Sequence, residues 1–150
     1  MVGSDALSGL GFLVGRWAGV GEWGGKPFAC RTEVTLLLDR YLQIDVHAEQ
    51  EGRADHDERV IFHAHGDHVV ATLYPDRGDV QRFVVQEVEP ARVYRLVFTP
   101  PSGSALSPQR WTIRRTEAGY EEVFEVAPGG GAFQPAVTCS YRPESEGAGA

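Results

Sequence analysis

The stretch Leu13-Val14-Gly15-Arg16-Trp17-Ala18-Gly19-Val20-Gly21-Glu22-Trp23-Gly24 carries two overlapping patterns that imply different folds. Residues Gly19 to Gly24 spell G-x-G-x-x-G, the dinucleotide fingerprint. That motif needs a strand before the glycines and a helix starting at the last one, so that helix N–H groups face a pyrophosphate. Here Gly24 leads into Gly25-Lys26-Pro27, which reads as a turn, and then into Phe28-Ala29-Cys30-Arg31-Thr32-Glu33-Val34, an alternating strand. Asp39 and Asp45 fall near the spacing of a ribose-binding acid, but acids are too common to restore the motif. Read as a strand, the same residues put Trp17, Gly19, Gly21 and Trp23 on one face and Arg16, Ala18, Val20 and Glu22 on the other. Glycines at alternate inward positions either bend the strand sharply or leave space beside the two indoles, and the sequence leaves both open.

Working outward, short runs rich in Val, Ile, Thr, Phe, Tyr and Trp alternate with turn chemistry at intervals of roughly 8 to 12 residues. Strands are predicted near 16–24, 28–38, 41–50, 56–65, 68–74, 80–88, 92–98, 108–116, 119–127 and 133–142. The breaks hold residues suited to tight turns, such as Gly24-Gly25, Gly66-Asp67, Pro75-Asp76-Arg77-Gly78 and Pro128-Gly129-Gly130-Gly131. Leu38-Asp39-Arg40 and Glu117-Ala118 are weaker punctuation. The connections are mostly short, so consecutive strands should pair as antiparallel neighbours, and closure removes the edges that ten strands would otherwise expose. The expected fold is all-β: a ten-stranded antiparallel up-and-down barrel with a short N-terminal helix. That helix would be capped by Ser4 or Asp5 and would carry Leu7, Leu10 and Val14 on one face. Residues 1–143 are read as a single domain and 144–150 as a disordered tail.

The chain has 150 residues, a net charge of −7 and a pI near 5.2. Lys26 is its only lysine. An acidic chain without clustered basic residues is a poor partner for a phosphate backbone, and no apolar run approaches the roughly 18 residues of a membrane helix. Neither nucleic acid nor membrane is therefore expected as a partner. Without a signal-peptide pattern at its N-terminus the protein reads as cytoplasmic. Cys30 and Cys139, both in apolar alternating runs, read as reduced, buried thiols.

Gly15-Arg16-Trp17 after a short N-terminal helix, with Tyr141-Arg142 closing the last strand, resembles the calycin superfamily of lipocalins and fatty-acid-binding proteins. More narrowly, Leu10 to Gly21 looks like the first strand of nitrobindin-like, fatty-acid-binding-protein-like domains, L-x-G-x-W-x-G-x-G. The resemblance implies an internal ligand cavity, and it places Arg142 over Trp17 at the closed end as a structural pair. It also implies haem on a histidine of the last strand, yet Phe133 to Arg142 holds none, which disfavours haem. The R-x-Y carboxylate signature of fatty-acid-binding proteins is likewise replaced by Cys139-Ser140-Tyr141.

A ten-stranded barrel is wider than its own side chains readily fill, so a cavity is expected. Its candidate lining is Trp17, Gly19, Gly21, Trp23, Tyr94, Trp111 and Thr138, with aromatic residues supplying apolar area and a polar tip. Arg82 and Arg95 alternate with valines in strands apolar on both faces, so their direction is not legible. Four of the five histidines fall between His56 and His68. His63, His65 and His68 form a weak candidate metal site, but Val60, Phe62 and Ala64 take the apolar parity and send His63 and His65 to solvent. The function expected is binding of a small apolar or amphipathic ligand without covalent chemistry. The alternatives are a nitrobindin-like haem enzyme acting on reactive nitrogen species, and a structural or interaction module, a homodimer included.

Overall fold

A computed structural model describes residues 7–144. Ten strands follow one another as β1 Gly15–Trp23, β2 Lys26–Leu37, β3 Tyr41–Glu49, β4 His56–His65, β5 His68–Pro75, β6 Gln81–Glu89, β7 Val93–Phe98, β8 Gln109–Arg115, β9 Tyr120–Val126 and β10 Gln134–Pro143. Each lies within two residues of its expected span. Sequential strands pair antiparallel, and β1 pairs with β10 as well as with β2, which closes the barrel. The opening stretch is thus a strand, and Gly24 and Gly25 turn it into β2 with φ of 61° and 78°, values natural only to glycine or a few polar residues.

Residues 7–9 are helical and run into a 3₁₀ turn at Leu10–Leu13. The tighter pitch repeats every third residue, so Leu10 and Leu13 are buried while Val14, expected on the inner face, is 49% exposed. The expected caps Ser4 and Asp5, and the tail beyond residue 144, lie outside the described residues.

Period-two alternation sets what points inward. On β2 the inner side chains are Phe28, Cys30, Thr32 and Val34, each buried between exposed neighbours. The helix sits at the end of the barrel where β1 begins. Beneath it Leu10, Leu13, Val34, Leu42, Val60, Phe62, Val69, Tyr94, Leu96 and Ile113 are almost wholly buried, while a cleft of about 480 Å³ runs beside the helix against Leu36, Tyr41 and Leu42. A polar-edged aromatic layer roofs that packing. Trp17 donates its indole N–H to the Leu13 carbonyl at 2.7 Å and meets Tyr120 edge-on at 5.0 Å. Tyr120 stacks on Tyr141 at 4.4 Å and shares a hydrogen bond with Thr32 at 3.0 Å.

Candidate functional site

Above the Tyr120–Tyr141 layer the inner faces change character. On β4 they run His56, Glu58, Val60, Phe62, so this strand turns polar toward the end away from the helix, and on β9 they run Tyr120, Glu122, Phe124, which sets one acid between two aromatic rings. Between these faces lies a cavity of about 220 Å³, walled by Trp23, Phe28, Phe83, Trp111 and Phe124, with Cys30, His56, Glu58, Glu122 and Tyr141 also on its surface. A larger depression of about 610 Å³ over Asp45, Asp57, Arg59 and Tyr74 lies on the outside of the sheet. Val46 and Glu58, which also line the interior cavity, contribute to its edge.

Glu122 is the central polar group. It is deep in the barrel, yet the cavity reaches one side of it. The Tyr141 hydroxyl donates to Oε1 at 2.6 Å and the Trp111 indole donates to Oε2 at 2.9 Å. Burial pushes its pKa up to about 7, against the lowering effect of those two hydrogen bonds, and Glu58 adds to the rise. Cys30 Sγ lies 3.3 Å from the Tyr141 oxygen. Burial also drives both thiols, Cys30 and Cys139, up to about 12, so they are inert as thiolates near neutral pH.

At the rim, His56 bridges two carboxylates, Glu58 at 3.0 Å through Nε2 and Asp76 at 2.9 Å through Nδ1. The hydrogen bond to Glu58 raises its pKa above the ordinary 6.5, against the effect of burial. Trp23 packs near Phe28 and His56, and the Arg53 guanidinium lies 4.5 Å over its ring. Gln50 donates to the carbonyls of Trp23 and Lys26 at 2.9 and 3.0 Å, which ties the segment carrying Arg53 to the β1–β2 turn.

Of the residues expected to line a cavity, Trp23 and Trp111 do so. Trp17 belongs to the filled layer below. Gly19 and Gly21 do not open space for a ligand. A Cβ at Gly19 would lie 2.6 Å from the Tyr141 ring and 2.7 Å from Cys139 Sγ, and one at Gly21 would collide with the Thr138 carbonyl of β10. The two glycines therefore serve close packing within the barrel. Tyr94 is buried at the helix end, where its hydroxyl donates to Glu87 and accepts from the Ala91 N–H. Thr138 is exposed, because Val137, Cys139 and Tyr141 take the inner parity of β10.

The expected stack of Arg142 on Trp17 does not form. Arg142 pairs with Ala18, whose parity is outward, and it is exposed while Trp17 points in. Arg82 is likewise exposed, and Arg95 sits on the outward parity of β7, between the inward Tyr94 and Leu96. His63 and His65 have ring centroids 6.3 Å apart, and His65 faces His68 across the hairpin. Among the described residues the group whose ligand atoms come within 4.8 Å of one another is instead His47, Glu49 and Asp55, on the outer surface. Glu58 and Glu122 went unnoticed in the sequence, although each shares the parity of an apolar series, Val60 and Phe62 in one case and Tyr120 and Phe124 in the other.

The haem implied by the family resemblance does not fit this donor set. His56, the one histidine on the cavity, has both ring nitrogens engaged by carboxylates, both thiols are held protonated, and the space of about 220 Å³ falls short even of the roughly 300 Å³ at which drug-sized pockets begin.

No protein-family model matches the chain, and no curated protein matches it. Among the described residues no helix is long and apolar enough to cross a membrane. Among solved structures the chain is similar to the crystal structure of Rv2717c from M. tuberculosis, with a TM-score of 0.71 at 14% identity over 93% of this chain and 98% of that one. That likeness concerns the fold alone, here a ten-stranded antiparallel barrel with one short N-terminal helix.

Proposed function

We propose that the protein is a cytoplasmic small-molecule-binding barrel that takes an amphipathic ligand into the cavity above the Tyr120–Tyr141 layer. The observation that carries this reading is a contrast within one interior: inward side chains almost wholly buried under the helix, and a hollow walled by aromatic rings at the other end. Concave, mostly apolar surfaces with a few convergent polar groups are the usual setting of small-ligand sites. Glu122, held by two donors at the cavity wall, is such a group. The buried free thiols Cys30 and Cys139 accord with a reducing compartment.

Tryptophan fluorescence tests it, since Trp23 and Trp111 touch the cavity and Trp17 does not. Titration with a panel of fatty acids, amphipathic amines and tetrapyrroles should find at least one class that quenches saturably, and Trp23→Phe combined with Trp111→Phe should remove the signal. Absence of saturable binding across the panel would end the reading. Haemin should give no specific Soret band, and a band abolished by a single substitution would restore the haem alternative.

A further inference from the structure

We propose that the cavity selects a small organic ammonium ion, a protonated amine on an apolar body, with Glu122 as its anchoring acceptor and Glu58 as a second carboxylate on the same wall. This rests on the ligand-binding reading above and names the chemistry of its ligand. Three features of the cavity support it.

The first is the sign of its charge. The acidic groups on its surface are Glu58 and Glu122, and no arginine or lysine lines it. Arg82 and Arg95 are on the outer face, and Arg53 covers Trp23 from the exposed rim. The cation-capable lining residue, His56, is already held between Glu58 and Asp76. With Glu58 already met by His56, a carboxylate ligand would face the Glu122 charge with no free cation to pair with, whereas an ammonium would offset that charge.

The second is acceptor capacity. A carboxylate has about four lone-pair sites, and Glu122 receives one described donor on each oxygen, from Tyr141 and Trp111. Each oxygen keeps a lone pair that no described donor uses. Glu58 accepts from His56 through Oε2.

The third is the wall itself. Trp23, Phe28, Phe83, Trp111 and Phe124 offer the π-systems that attract a cation electrostatically, and they supply apolar area for its body.

The groups around Glu122 are Glu58 from β4, Cys30 from β2, Trp111 from β8, Tyr120 from β9, and Cys139 and Tyr141 from β10. Of these Glu58 brings negative charge, and His56, hydrogen-bonded to it at 3.0 Å, brings a positive charge that fades as pH rises and so acts in the same direction. Because burial holds Glu122 near pH 7, an ammonium that favours its ionised form should bind more tightly as pH rises from about 6 to about 8.

The test is a calorimetric titration at about pH 8 with three probes of similar shape: phenethylamine, phenethyl alcohol and phenylacetate. The amine should bind at least about tenfold more tightly than the alcohol, and phenylacetate more weakly than either. Glu122→Gln should bring the amine down to the level of the alcohol. Glu58→Gln, which leaves the Tyr141–Glu122–Trp111 hydrogen bonds in place, should lower the preference partway and decides the matter if the first variant does not fold. Alcohol or phenylacetate binding as tightly as the amine, or an amine affinity untouched by both substitutions, overturns the ammonium assignment while sparing the cavity. Failure of all three probes to bind overturns the ammonium assignment, and the fatty-acid, amine and tetrapyrrole panel then decides the cavity reading on its own.

Discussion

The two halves of this barrel interior are built by the same strands in the same parity, and they end up as different materials. Under the helix the inward residues are branched or aromatic hydrocarbons that interlock, with Phe62, Leu96 and Ile113 sealed beneath Leu10 and Leu13. Beyond the Tyr120–Tyr141 stack the same strands turn inward His56, Glu58 and Glu122 among aromatic rings, and the packing stops. Since ten strands enclose more volume than their side chains fill, the sequence decides which half is solid. Stability should reside in the first half and recognition in the second, and substitutions in the two should have separable effects.

The largest loss is expected from Trp17→Ala. Removing an indole that carries a buried hydrogen bond to Leu13 and the edge contact to Tyr120 should cost about 3 to 5 kcal/mol in denaturant unfolding. Whatever remains folded should keep its affinity for a cavity probe. Equal losses of stability and affinity would erase the division between the halves.

Next comes the pH dependence set by Glu122, whose pKa rises from 4.5 to about 7 in the folded protein. Its protonated form favours the native state. That contribution is fully present below about pH 4.5 and is lost as pH climbs through about 7, on the order of 3 kcal/mol in all. His56 is raised above its ordinary 6.5, so its own contribution holds below that value and fades only at higher pH. Unfolding midpoints followed from about pH 4.5 to 7 should therefore fall in the native chain relative to Glu122→Gln. Parallel curves would mean that Glu122 titrates as an ordinary exposed carboxylate.

Gly21→Ala should cost about 1 to 3 kcal/mol, because the new methyl group meets the backbone of β10 at Thr138. A neutral result in thermal unfolding would show that β1 and β10 separate more easily than their register implies. The smallest effect belongs to Arg142→Ala. With its guanidinium in solvent rather than on Trp17, its removal should shift stability by no more than about 0.5 kcal/mol. A loss several times larger would reinstate the cation–π pair.

What the sequence disclosed follows the same division. Strand count, order and boundaries were legible because turn chemistry and period-two patterning act locally, as at Gly24-Gly25 and along Phe28 to Val34. The role of Gly19 and Gly21 was not, since only the register against β10 brings Tyr141 and Thr138 to them. The site was half legible. Trp23 and Trp111 stood out as aromatics, whereas Glu122 drew no attention beside Glu121, although one faces the interior and the other Arg114 outside. Parity distinguishes them, and an acid in step with Tyr120 and Phe124 is the signal to seek. The expected Arg142 stack came from resemblance, and the outward parity shared with Ala18 overrides it.

The division itself is tested most directly by recording amide and indole NMR spectra while phenethylamine is titrated into the protein. The shifts should concentrate on Cys30, Glu58, Glu122, Val137 and the Trp111 indole N–H, leaving Leu10, Leu13, Phe62 and Leu96 unmoved. Perturbations centred on the residues under the helix, or scattered over the outer face around Asp45 and Arg59, would contradict it.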